Sequence, residues 1–126
     1  MKQLFLLFSH KLTQAQEEDA KKNLAITHFV SLPKELQSLW SDIPPELEDI
    51  SDYLNPLKKY ITDKLNNGDI ILIQGDFGGG YEMINFAKSI SLKPVYATTK
   101  RNAVEKTIDG KVEKLSVFEH IKFREY

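Results

Sequence analysis

Cysteine is absent from this 126-residue chain. Disulfide staples, thiolate zinc sites and cysteine nucleophiles are thereby excluded. A reducing compartment fits that absence without being required by it. Nor is there an excess of charge of either sign. The 17 Lys and Arg residues stand against 18 Asp and Glu, a formal net charge of -1. Non-specific binding to long DNA or RNA normally needs a basic surface, so no long nucleic acid is expected as a partner. A small phosphorylated ligand needs only a few local donors and stays admissible. Long apolar runs are missing too. The N-terminal run Leu4–Phe8 is too short for a signal peptide, and no stretch approaches the length of a membrane span. The chain reads as cytoplasmic, with no membrane partner. Internal repeats and low-complexity segments are also lacking. What is present is 41% hydrophobic residues, enough for one core in a single domain over 1–126 without metals or staples.

That core has a readable order. Leu4–Phe8 is a continuous apolar run, as in a strand buried on both faces of a parallel sheet. After the turn Ser9–Leu12, Thr13 with Gln16 matches a capping box, and a helix is expected to about Asn23. Ala25–Val30 reads as a second strand. Ser31 and Pro33 open a second helix through Leu36, Leu39 and Trp40. Pro44-Pro45 and the acidic group Glu46, Glu48, Asp49 and Asp52 interrupt it, as a solvated surface connection without EF-hand spacing. Asn55-Pro56 suits an N-cap with proline in the first helical position. Leu57, Tyr60, Ile61 and Leu65 trace one face of that helix, and Asn67-Gly68 ends it. Asp69–Gln74 is the third strand, Gly75–Gly80 a glycine loop, Tyr81–Ser91 a helix, and Pro94–Ala97 the fourth strand. Alternating strands and helices predict an α/β fold, Rossmann-like, with a mainly parallel sheet flanked by helices. Asp109-Gly110 then predicts a C-terminal β-hairpin between Ala103–Ile108 and Lys111–Val117.

In such sheets ligands gather beyond the carboxyl ends of the strands. Three segments reach that edge: Ser9-His10-Lys11, Gln74–Gly80, and Thr98-Thr99-Lys100-Arg101. Their hydroxyls, cations and bare glycine backbone suit a phosphodiester better than an apolar metabolite. Gly75, Gly78, Gly79 and Gly80 let backbone N–H groups approach a ligand at a helix N-terminus. No Lys-Ser/Thr pair follows them, so they form no Walker loop, and their spacing is not the dinucleotide fingerprint. A tight turn for helix–strand packing is the plain alternative. Lys100 and Arg101, beside Thr98 and Thr99, can hold phosphate oxygens and stabilise a phosphorane-like transition state, or lie in a solvated loop. His10 is a candidate general acid or base, with ordinary surface as the alternative. Ser9 is a better phosphate or ribose contact than a nucleophile. Asp76 touches a ribose hydroxyl or satisfies its own loop. His28 reads as structural. The histidines share no helical pair, so no metal site is expected, and no cofactor.

The segments Phe5–Thr13, Gln74–Gly78 and Ala97–Arg101, with Phe118-Glu119-His120 and Phe123-Arg124 in the tail, resemble one family. It is the small ancillary proteins encoded beside type III CRISPR systems, similar to the CARF domain. The resemblance runs over essentially the whole chain and is loosest in the tail. It implies a Rossmann-like, CARF-like homodimer that binds a cyclic oligoadenylate. Several stand-alone members are ring nucleases, and cyclic tetra-adenylate is the commonest substrate. On that resemblance Lys100, Arg101 and His10 are the expected catalytic residues of a metal-independent phosphodiesterase. Ser9, Gln74, Gly75, Asp76, Gly78, Gly79, Gly80, Thr98 and Thr99 are the expected ligand contacts. The products are linear di-adenylate with 2′,3′-cyclic phosphate ends, and the reaction switches off type III signalling. Competing readings are a non-cleaving sponge for the same ligand, a protein-docking adaptor, and a small-metabolite enzyme on the same fold.

Overall fold

The computed structural model describes residues 2–126. Nine elements follow in order: β1 (Gln3–Leu7), α1 (Gln14–Asn23), β2 (His28–Ser31), α2 (Lys34–Ser41), α3 (Asn55–Lys64), β3 (Ile70–Ile73), α4 (Phe77–Ser89), β4 (Lys93–Ile108) and β5 (Lys111–Glu125). One five-stranded sheet runs in the order β2-β1-β3-β4-β5. Its first three pairings are parallel, and β5 lies antiparallel on β4. The fold is therefore α/β with a mixed sheet flanked by helices, parallel over four strands and not over the fifth.

The two faces of the sheet explain the apolar runs. Phe5, Leu7, Ile71 and Ile73 pack with Trp40, Leu57, Ile61 and Met83 under α2, α3 and α4. Leu4, Ile70, Leu72 and Val95 pack with Ala20 of α1 on the other face. A strand covered on both sides gains from every side chain, about 1.5–3 kcal/mol for each large one fully buried. Hence β3 is Ile-Ile-Leu-Ile, buried throughout. At the amino end of the sheet the buried Asp69 carboxylate accepts from Gln3 N (3.1 Å), Gln3 Nε2 (2.9 Å) and Asn66 N (2.8 Å). It ties the start of β1 to the turn before β3, far from the carboxyl edge.

The capping box of Thr13 and Gln16 is present at α1. Three expectations are corrected. The segment Gly75–Gly80 is not a loop throughout, because α4 begins at Phe77 with Asp76 as its N-cap. An aspartate cap offsets the weak helix propensity of three glycines. Thr98-Thr99-Lys100-Arg101 is no loop either; it lies inside β4, paired with Phe118–Lys122 of β5. The local residues carry no sign of this, since their partners lie about twenty positions away. The second strand starts at His28 rather than Ala25, because Ala25 takes a left-handed turn (φ 57°) on leaving α1. The hairpin turn stands as expected, with positive φ at Asp109 (52°) and Gly110 (77°), as a primed turn requires.

β4 and β5 outrun the sheet as a two-stranded arm. At its base Ile121 forms a bulge, since Thr98 pairs with Lys122 and Thr99 with His120. There His120 Nε2 meets Asp19 Oδ2 at 2.7 Å, docking β5 on α1. Burial raises the pKa of Asp19. Hydrogen bonds from Asn23 and His120, with the charges of His120 and Lys122, outweigh that and hold it below the ordinary 3.8. A carboxyl whose folded pKa is depressed contributes stability in full above its unfolded value, and loses it as pH falls through the folded value. The stability advantage of the native chain over Asp19→Asn is expected to shrink below about pH 3.8. Urea denaturation at pH 6 and pH 3 checks this; a constant difference would contradict it.

Candidate functional site

Between β1 and β3 the order of the sheet reverses. The chain leaves β1 for β2 at the edge, then crosses back to β3 on the other side. Such a reversal opens a crevice at the carboxyl ends, because the two connections leave in opposite directions. The last register pair is Leu7 with Ile73. Beyond it, Phe8, Ser9, His10, Gln74 and Gly75 line a cavity of about 240 Å³. His10 also lines a cavity of about 400 Å³ toward β2, with Lys11, Glu17, Ser31 and Gln37. Gln74 and Gly75 also line one of about 360 Å³ toward β4, with Asp76, Phe77, Gly80, Tyr81, Tyr96 and Tyr126. Three separate cavities thus follow the edge, neighbours sharing Phe8 and His10 or Gln74 and Gly75 in their walls.

Each expected site residue has a definite place. Ser9 is exposed, its hydroxyl 3.0 Å from that of Ser41. His10 is exposed, edge-on to the Phe8 ring with centroids 6.4 Å apart. Gln74 Oε1 accepts from Ala97 N at 3.0 Å; it caps a β4 amide where β3 has ended. Gln74 O accepts from Trp40 Nε1 at 3.2 Å. Asp76 Oδ2 accepts from Gly79 N at 2.8 Å, so one of its oxygens serves the helix cap. Ser9, His10, Gln74, Gly75, Asp76 and Gly80 are brought together at the row of cavities. Gly78 and Gly79 lie behind them, toward Ile43, Ile50 and Trp40.

Thr98 and Thr99 are occupied by the arm. Thr98 Oγ1 donates to Lys122 O at 2.9 Å and accepts from Lys122 N at 3.2 Å, and Thr99 pairs with His120. Lys100 and Arg101 point to opposite faces of β4, as successive strand residues do. Val95 and Ala97 belong to the α1 face, whereas Tyr96 lines the cavity beside α4. Lys100 follows Tyr96 onto the site's face, four residues and roughly 13 Å further along. Arg101 follows Ala97 and donates from Nε and Nη2 to Ser116 Oγ at 3.0 and 2.8 Å.

An aromatic rim was not anticipated. Phe77 (97% exposed) and Tyr81 (72%) project from α4, and their i, i+4 spacing puts both on one helix face. That signal is in the sequence but is usable only once the helix starts at Phe77. Tyr96 and Tyr126 stack with centroids 4.8 Å apart. The Arg124 guanidinium lies 5.4 Å over the Tyr96 ring and donates to its hydroxyl at 2.8 Å. Tyr126 donates to Ile73 O; burial, then the neighbouring Tyr96, pushes its phenol pKa up. Among the described residues no three His, Asp or Glu side chains converge on a common point.

The glycines separate into two kinds. A Cβ on Gly75 would stand 2.9 Å from Trp40 Nε1, and one on Gly79 would stand 2.8 Å from Ile43 Cδ1 and 3.1 Å from Trp40. A Cβ on Gly80 meets nothing within 4 Å. Gly79→Ala is therefore expected to cost about 1–3 kcal/mol by overpacking. Gly80→Ala is expected to gain about 0.5–1 kcal/mol, as for glycine in any helix. Thermal denaturation of the two variants decides; equal effects would remove the distinction.

The model of the family described as Uncharacterized protein MJ1673 family matches residues 2–124. A protein described as Uncharacterized protein MJ1673, from Methanocaldococcus jannaschii, is 51% identical over 126 residues, covering 100% of this chain and 98% of its own. No solved structure matches the chain. No helix among the described residues is long and apolar enough to cross a membrane.

Proposed function

The chain belongs to the MJ1673 family, and we propose that it binds a cyclic oligoadenylate along the carboxyl edge of its sheet and opens the ring without a metal. One observation carries this reading: three cavities that share lining residues follow the edge through the β1–β3 reversal, with a histidine between two of them and exposed aromatics at the rim. An extended ligand with several phosphates and bases fits a row better than a single pocket. Adenine rings stack on the exposed Phe77 and Tyr81, each such contact worth about 1–3 kcal/mol. The order β2-β1-β3-β4, with helices on both faces, supports the Rossmann-like, CARF-like form of the fold.

The chemistry follows from the ligand. A ribose 2′-oxygen attacks the adjacent phosphorus, losing its proton to solvent. The bond from phosphorus to the 5′-oxygen breaks, leaving a 2′,3′-cyclic phosphate. His10 gives its proton to the departing 5′-oxygen. Holding the 2′-oxygen in line supplies much of the rate; Lys100, roughly 13 Å along the arm from Tyr96, takes no part in the step. The free oxygen of Asp76 is the ribose contact. Arg101, on the other face, has no part in this scheme. A four-fold ring exceeds one such edge, and a two-fold homodimer would set two equivalent edges around it.

Sequestration without cleavage is the second reading, favoured by the divergence of Lys100 and Arg101. Incubation with labelled cyclic tetra-adenylate in EDTA separates the two. Linear di-adenylate over many turnovers is the expected result. An intact ring retained by the protein would establish sequestration instead, and no binding would overturn both.

A further inference from the structure

The arm beyond the sheet is a surface in need of a partner. From Lys100 to Ile108 it extends about 27 Å, and nearly every residue on both strands is exposed. A two-stranded ribbon alone is marginally stable in water at best. Its two faces differ. On the α4 face the cross-strand pairs run Lys100/Glu119, Asn102/Val117, Val104/Leu115, Lys106/Glu113 and Ile108/Lys111. Val104, Ile108, Leu115 and Val117 there are each 41–49% exposed. On the α1 face Phe118 and Val112 stand apart, with Ala103/Ser116 and Glu105/Lys114 between them.

The α4 face is complementary to itself. A two-fold axis along the ribbon exchanges the strands and keeps their direction. Every β4 residue then faces the copy of its own cross-strand partner. Val104 meets Leu115, Lys100 meets Glu119, and Lys106 meets Glu113, all across the interface. An axis across the ribbon would instead set β4 against β4, and at the level of Ala103 it would bring Lys100 toward Lys106. The axis along the ribbon joins opposite charges in both Lys–Glu pairs.

We infer that the arm is the self-association surface of this protein, with the arms of two copies packed in parallel, α4 face to α4 face, about an axis along the ribbon. The inference rests on the two-fold pairing invoked for the cyclic ligand. It does not need the ligand itself, so mass is measured without nucleotide and ring binding is measured separately.

Sedimentation of the full chain at micromolar concentration is expected to give a dimer. L115E is expected to raise the dimer dissociation constant on the order of 30-fold or more, with circular dichroism unchanged. K106E and E113K are each expected to weaken self-association by like-charge contact. Mixing K106E with E113K restores both Lys–Glu contacts between copies, although each chain keeps its own altered pair. Recovery of dimer only in the mixture supports the arm interface. A wild-type monomer, or a dimer indifferent to all three substitutions, overturns it, whatever the nucleotide result.

Discussion

Alanine in place of His10 is expected to slow ring opening by about 10²–10⁴-fold, the usual contribution of a positioned proton donor. The imidazole stands where two of the cavities meet. Its ring is exposed and touches the fold chiefly at Phe8, so removing it should change stability by no more than about 0.5 kcal/mol. On the proposed reading the ligand is held mostly by stacking and by phosphate contacts on other residues. Affinity should therefore change little, and kcat and kcat/KM should fall together, as for a group acting only in the transition state. Single-turnover cleavage by the H10A variant, beside its affinity for the intact ring, is the check. Undiminished cleavage would remove His10 from the chemistry. A loss of affinity matching the loss of rate would make it a binding residue.

The second large effect falls on Trp40. Its side chain is 2% exposed. The indole fills the space left by Gly75 and Gly79 and donates to Gln74 O. Trp40→Ala is expected to cost about 3–5 kcal/mol, a large part of the roughly 5–15 kcal/mol that a domain has in total. The glycines make refilling difficult, because they have no side chains to collapse into the cavity. Trp40→Phe should keep much of the packing and lose the hydrogen bond, at about 1 kcal/mol. Urea unfolding orders the three proteins. An alanine variant within 1 kcal/mol of the native chain would show that the indole is not what sets this edge. Ligand affinity of Trp40→Ala should fall as well, since the indole fixes the backbone of Gln74-Gly75 between two cavities.

These variants separate positioning from contact at the edge. Gly75 and Gly79 are glycines because Trp40 approaches them, which is the packing alternative to a phosphate cradle. Gly80 has open space where a Cβ would go, and it lines the cavity beside Tyr81 and Tyr96. For Gly80 the fold supplies no reason for glycine; on the proposed reading, close approach of the ligand supplies one.

Much of the molecule was legible without coordinates. The apolar runs of β1 and β3 mark strands covered on both faces, and Thr13 with Gln16 marks the start of α1. Asp109-Gly110 marks the hairpin. Ser9, His10 and Gln74–Asp76 follow from the position of strand ends. The errors share a cause. Three consecutive glycines disfavour a helix by local propensity, and the compensation comes from the Asp76 cap together with Trp40, Ile43 and Ile50 packed behind. Thr98–Arg101 read as a loop because its ladder partners lie beyond the hairpin turn.

By itself, then, the sequence determined which segments are buried, where most helices begin and end, and that Ser9, His10 and Gln74–Asp76 lie at the carboxyl edge. Those are consequences of hydrophobic period and backbone preference over a few neighbouring residues. The tertiary structure alone decided that Lys100 and Arg101 part to opposite faces, that Tyr96 and Tyr126 join Phe77 and Tyr81 at the rim, and that His120 docks on Asp19 across 101 positions. Pairing register and packing between distant segments settle such contacts, and no stretch of a few residues encodes them.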